Sequence, residues 1–176
     1  MKRQDSNQVY SWEQFTNEYR DGIIAPAQPT DLELIYDIVQ ETIAAVYPRY
    51  YPAGAVAFFQ RHHNRDAIRA DLAARRVWLL WHMGRACGTV TIRNNEMTRL
   101  FVPPEQQGRG YGWTLMDFAE ERIAEHYDEI VLDASLSAKG TYKKRGYVEC
   151  EYHKIPTEGG QFLCYDVMRK RLKPEP

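Results

Sequence analysis

The feature that most narrows the fold of this chain is a junction. Residues 107–112 read Gln-Gly-Arg-Gly-Tyr-Gly. They lie between a β-rich run that stops at Pro103-Pro104 and a helical stripe made by Gly112, Met116, Ala119, Ile123 and Tyr127. The first amides of a helix have no partner inside it and sit at the positive end of its dipole, which suits a phosphate. Glycines let that backbone approach a ligand without Cβ collisions. A P-loop would need Lys-Ser/Thr after its last glycine, and none follows here. A dinucleotide fingerprint would need a third glycine where Trp113 stands, after a strand that opens a βαβ unit. A glycine turn that binds nothing stays open on this evidence.

The flanking sequence gives the junction a context. Residues 22–27 read as a short strand ended by Pro26, and Thr30-Asp31-Leu32-Glu33 as a capping box. The box opens a helix carrying Leu34, Ile35, Ile38, Val39, Thr42 and Ile43, stopped by Pro48. A second helical region covers about 56–75. From Arg76 the period changes: residues 77–81, 87–92 and 97–102 are successive strands, with turns at Gly84 and Asn94-Asn95. After the junction the order is a helix at about 110–126, a strand at 130–134 and a short helix at 137–145 closed by Gly146. A final hairpin uses 147–154 and 162–169. This order predicts an α/β domain with a mixed sheet.

Composition excludes several classes. At 176 residues, one domain is expected: residues 22–172, preceded by an extension over 1–21 with a short helix near 12–19, and followed by a tail over 173–176. A net charge of -1 calls for neither nucleic acid nor an anionic membrane as partner. No apolar run is long enough for a bilayer, and residues 1–15 lack the apolar core of a secretory signal. Cys87, Cys150 and Cys164 are odd in number, which argues for reduced thiols and a cytoplasmic setting. His62-His63 lacks the spacing of a metal site, so no metal is expected and both are read as surface. Residues 169–171 read as a solvated strand end, Cys87 as core, and Trp78 and Trp81 as sheet packing.

Two blocks together carry a resemblance. Residues 107–112 resemble the Q/R-x-x-G-x-G/A signature of the GCN5-related N-acetyltransferase (GNAT) superfamily. About thirty residues on, the segment 135–147, ending Tyr142-Lys143-Lys144-Arg145-Gly146-Tyr147, resembles that family's Tyr-x-x-x-Gly-Phe block. Ser135 stands where many members have Asn, Thr141 where Leu or Phe is usual, and Tyr147 where Phe is commoner.

The resemblance implies a mostly antiparallel sheet of about six to seven strands with helices on both faces. It also implies an acetyl-coenzyme A-dependent N-acetyltransferase, monomeric or homodimeric, acting by direct attack of a bound primary amine from a small molecule or peptide. Gln107, Gly108, Arg109, Gly110, Tyr111, Gly112 and Trp113 would then hold the coenzyme A pyrophosphate. Phe101 and Val102 would meet the pantetheine arm, with a backbone amide there for the oxyanion. Ser135, Ala138, Lys139 and Tyr142 would complete the cofactor wall. Tyr142 would protonate the leaving thiolate. Glu96, eleven residues before Gln107, would be the base, with a water chain as the alternative. Lys139 and Lys143 could meet the adenosine phosphate or belong, with Lys144 and Arg145, to an exposed basic helix face. Tyr47, Arg49, Tyr50, Tyr51 and the loop 153–161 mark the acceptor side, Arg49 as a receptor for a carboxylate. A coenzyme-A-binding module without catalysis is the competing class, and an unrelated nucleotide-binding domain a third.

Overall fold

A computed structural model describes residues 17–19 and 22–173. The sheet is built from β1 (Asn17–Tyr19), β2 (Gly22–Pro26), β3 (Val77–His82), β4 (Arg85–Arg93), β5 (Glu96–Phe101), β6 (Glu129–Ser135), β7 (Val148–Thr157) and β8 (Gln161–Arg171). The strand order is β1-β2-β3-β4-β5-β6-β8-β7. Every neighbour pair is antiparallel except β5 and β6. The eighth strand, beyond the six or seven expected, is β1. It pairs with β2 where a helix was expected over 12–19; residues 12–16 lie outside the described ones.

Helices cover both faces. On one lie α1 (Leu32–Val46), α2 (Ala53–His62) and α3 (Arg65–Ala73), packed on Val77, Leu79, Phe101 and Leu163. On the other lie α4 (Tyr111–Ala124) and α5 (Lys139–Lys144), against Trp78, Leu80, Val90, Ile130 and Leu132. This explains why β3 is an unbroken apolar run: a strand covered on both faces has no polar side to show. None of the helices in the described residues is long and apolar enough to cross a membrane.

Three local readings are corrected. The capping box forms two residues early: Pro29 opens a 3-10 turn, and the Gln28 amide donates to Asp31 Oδ2 at 2.7 Å. Thr30 is then already inside the turn, and Glu33 instead accepts from Arg65. The single helix expected over 56–75 is two, broken at His63-Asn64. Asn64 takes an extended conformation and its Oδ1 accepts from the Ala67 amide at 2.9 Å, so it caps α3 rather than continuing α2. Finally, the basic runs are not simply solvated. The Arg145 side chain is 8% exposed and pairs with Asp117 and Glu120, and Glu120 also accepts from Tyr147 and Lys170. This cluster ties α4 to the end of α5 and to β8.

Candidate active site

The parallel pair β5 and β6 meets at one register position, Glu96 with Val131, reinforced by the Val131 amide donating to Asn95 O at 2.9 Å. Beyond it the strands part, while β6 keeps a full-length antiparallel ladder with β8 on its other edge. The parting begins where β5 carries an extra residue. Thr91 faces Arg99 but Ile92 faces Met97, so Thr98 is a bulge, which bends and twists a strand. A cavity of about 390 Å³ opens in the gap, between Thr98–Val102 on one side and Asp133 and Ser135 on the other. It lies at the carboxyl ends of adjacent strands whose connections diverge, the place where open α/β sheets take ligands.

The junction forms one end of the cavity. Gly108 and Gly110 have φ of 75° and 92°, left-handed conformations that favour glycine. Among the described residues, the amides of 108–112 donate to no protein group, whereas that of Trp113 is used by Gly110 O at 2.8 Å. The Gln107 side chain donates to Val102 O at 3.0 Å, fastening the loop to the end of β5. Arg109 is exposed, and the Tyr111 ring is buried. Gly112 and Trp113 line the cavity.

The opposite wall comes from β6 and α5. Ser135 and Ser137 hydroxyls lie 2.9 Å apart, and Ala138 and Tyr142 line the cavity. Tyr142 is buried, its ring edge-on to Tyr147 at 5.5 Å. Burial, and then the neighbouring Tyr47, push its phenol well above the ordinary range. It is therefore held protonated, as a donor. The Lys139 ammonium is paired to Glu149 and Asp166, each at 2.7 Å, and Lys143 shares Glu149. Neither lysine lines the cavity.

The far end is made of side chains that sequence reasoning passed over. His63, read as surface, is 7% exposed and lines the cavity, because the helix break turns it inward. Its Nδ1 accepts from Arg99 Nε at 3.3 Å. Arg99 is itself buried, bonded to Asp71 and Thr91, and Asp71 receives Arg93 as well. Burial would raise the Asp71 carboxyl, but the hydrogen bonds from Arg93 and Arg99 hold it below the ordinary carboxylate range. Asp133 lines the cavity, and Glu96 stands near it without lining the wall. Burial raises both carboxyls, and the Asp133 charge raises Glu96 further. Tyr47 and Tyr51 are core aromatics, Tyr51 bridging the Leu136 amide and Cys164 O. Arg49 and Tyr50 are exposed and outside the cavity wall. A signal for the Arg99 cluster did exist. Arg99 and Asp71 are charges at inward positions, Arg99 two residues from Phe101 on one strand and Asp71 beside Leu72 on an apolar helix face.

Comparison with known proteins places this geometry. Residues 46–166, more than half of the chain, match the family model described as "Acetyltransferase (GNAT) domain". A curated relative, the uncharacterized N-acetyltransferase YafP of Escherichia coli, is 23% identical over 149 residues, spanning 84% of this chain and 93% of that protein. The crystal structure of a GCN5-related N-acetyltransferase from Rhodopseudomonas palustris superposes with a TM-score of 0.78 at 22% identity, covering 88% of this chain and 98% of that one. The PaiA N-acetyltransferase from Thermoplasma acidophilum, in complex with coenzyme A, superposes with a TM-score of 0.64 at 19% identity, covering 84% and 97%.

Proposed function

The chain belongs to the GNAT acetyltransferase family, and from that premise we propose that it moves an acetyl group from acetyl-coenzyme A to a primary amine of a small molecule or peptide. The observation that carries this reading is the gap between β5 and β6, opening beside five backbone amides that are unpaired among the described residues. The residues present fit the cofactor. The 108–112 amides suit a diphosphate, and past Glu96 the edge of β5 that faces β6 has no strand laddered to it, so it can accept an extended arm. Residues 22–172 act as the catalytic domain, and one chain supplies every residue named.

Acetyl-coenzyme A supplies the activated acyl thioester. The protein's own tasks are three. A backbone amide near Phe101–Val102 donates to the carbonyl oxygen as charge develops there. Tyr142, kept protonated by burial, donates to the departing sulfur. Glu96, with Asp133 beside it in the cavity wall, takes the proton from the acceptor ammonium. A carboxyl raised by burial and then by a neighbouring carboxylate, as Glu96 is by Asp133, is better matched to that role than an exposed one. Gln107, Gly108, Arg109, Gly110, Tyr111, Gly112, Trp113, Ser135 and Ala138 surround the cofactor. Lys139 has no part in this reading, since two carboxylates already hold it. The three cysteines are free thiols, which supports a cytoplasmic setting.

A binding module without catalysis would need only the glycine end of the cavity. The polar groups at the far end favour an enzyme. The test pairs melting shifts with thiol release. Acetyl-coenzyme A should raise the melting temperature, since a ligand that binds only the folded state stabilises it. An amine library should then give acceptor-dependent release of coenzyme A. A melting shift without any such release would leave the binding module as the better description.

A further inference from the structure

The cavity's far end holds a side chain that the mechanism leaves unused. His63 is more than nine-tenths buried, lines the cavity and packs edge-on against Phe101 at 5.4 Å between ring centroids. Its backbone is held too, with Gln40 Nε2 donating to its carbonyl at 3.0 Å.

The tautomer of His63 follows from its partner. A guanidinium has donors and no acceptor, so Arg99 Nε can only donate, and Nδ1 must offer its lone pair. The ring proton therefore sits on Nε2. With Nδ1 taken by Arg99, Nε2 is the ring nitrogen left for the cavity that His63 lines. Among the described residues that N–H has no protein acceptor. Arg99 cannot turn away to release it, because Asp71 Oδ2 at 2.9 Å and Thr91 Oγ1 at 3.1 Å fix its other end. Burial, then the Arg99 charge, keep the imidazole neutral by lowering its pKa to about 3. His63 is thus unfit as a base and fixed as a donor.

A second polar atom nearby is also unclaimed. Thr98 Oγ1, on the bulge of β5, is buried, lines the cavity through its residue and has no hydrogen-bond partner among the described residues. A purely hydrocarbon-flanked amine bound here would leave both groups dry and unpaired, which costs affinity.

We propose that His63 is a specificity-determining residue that donates through Nε2 to an oxygen carried beside the acceptor's amine. The acceptor is then an amino acid, an amino alcohol or a peptide N-terminus, and not a polyamine or a lysine side chain. The nearness of oxygen to nitrogen follows from the packing of His63 on Phe101, at the strand end where the acyl group is placed. The inference rests on the transferase reading of this cavity.

Two measurements test it. Nitrogen-15 NMR of the wild-type protein at pH 7 should show His63 protonated at Nε2 and bare at Nδ1, still neutral at pH 5. Arg99→Met, which removes the charge but not the burial, should move the His63 pKa upward. A wild-type spectrum with the proton on Nδ1, or an imidazolium, overturns the proposal whatever the activity. The second measurement is thiol release with matched amines that differ only by an oxygen next to the amine-bearing carbon. Wild type should favour the oxygen-bearing partner at least about tenfold in kcat/KM, since a site built to hydrogen-bond discriminates against analogues lacking the group. His63→Leu should bring the ratio near one, mainly through KM. His63→Gln, which keeps a donor, should retain most of it. An equal fall in kcat for every amine would instead place the donor on the developing oxyanion and overturn the acceptor class. No turnover by wild type with any amine sinks the transferase reading, and the acceptor class with it, while the NMR result still judges the donor.

Discussion

The two ends of the cavity are built from different materials. The glycine end is backbone: five amides that find no protein acceptor among the described residues, in a loop shaped by left-handed glycines and fastened by the Gln107 side chain. The far end is side chain: His63, Arg99, Asp71 and Arg93 in a chain of hydrogen bonds, buried except at Arg93, drawn from α3, β4, β5 and the α2–α3 break. Backbone recognition is indifferent to most substitutions that preserve conformation. A buried ionic chain depends on every member. The contrast teaches where a single substitution will be felt, and the following outcomes would sharpen or break it.

The largest effect is expected from Asp71→Ala, which strands Arg99 in the interior. Removing one partner of a buried pair costs about 3–5 kcal/mol, to be read by urea unfolding. A loss under about 1 kcal/mol would mean the chain of bonds is not load-sharing. Next comes the pH dependence. His63 has a folded pKa of about 3 against roughly 6.5 when unfolded. Between these values the unfolded chain binds the extra proton, so stability is intact above pH 6.5 and falls as pH drops toward 3, by on the order of 4 kcal/mol. His63→Gln should flatten that slope, while Asp71, whose pKa is depressed, still adds acid lability below about pH 4.

Tyr142→Phe comes third. Losing the proposed proton donor should lower kcat about a hundredfold, near 2.7 kcal/mol, with acetyl-coenzyme A affinity almost unchanged by calorimetry. An unchanged kcat removes Tyr142 from the chemistry. Gly110→Ala should weaken acetyl-coenzyme A binding about tenfold, because a left-handed L residue costs roughly 1–2 kcal/mol and the loop would relax away from its φ of 92°. Smallest of all, Arg109→Ala should change that affinity by no more than about threefold, as expected of an exposed charge beside a backbone cradle. If Arg109→Ala proved the more damaging of these last two, the backbone description of the glycine end would fail.

The same contrast explains what could be read from sequence. The strands and the glycine junction are local: periodicity and a φ requirement are written within a dozen residues, whereas helices on both faces followed from the family resemblance. The far end was not legible because its members are far apart in the chain, Asp71 lying 28 residues from Arg99. Arg99 and Asp71 each stand out as a charge at an inward position, but neither segment shows that they meet. His63 reads as surface because the His62-His63 pair lacks metal-site spacing, and the helix break capped by Asn64 lies between two segments that each look helical. Lys139 illustrates the reverse error. A cation near a presumed phosphate site looked available, yet β7 and β8 bring two carboxylates to it. Arg145 and Lys170 went the same way, since Glu120 reaches them only after α4 packs against the sheet.

Thr98 has one more implication. It is a surplus residue: without it β5 would run straight, and its free edge could zip to β6 past Glu96 as parallel neighbours ordinarily do. The cleft therefore exists by an insertion, not by a missing wall. A shortened hairpin would yield a sounder sheet and a sealed one, so in this chain the vacancy that admits a substrate is sustained at the expense of the most regular sheet available to it.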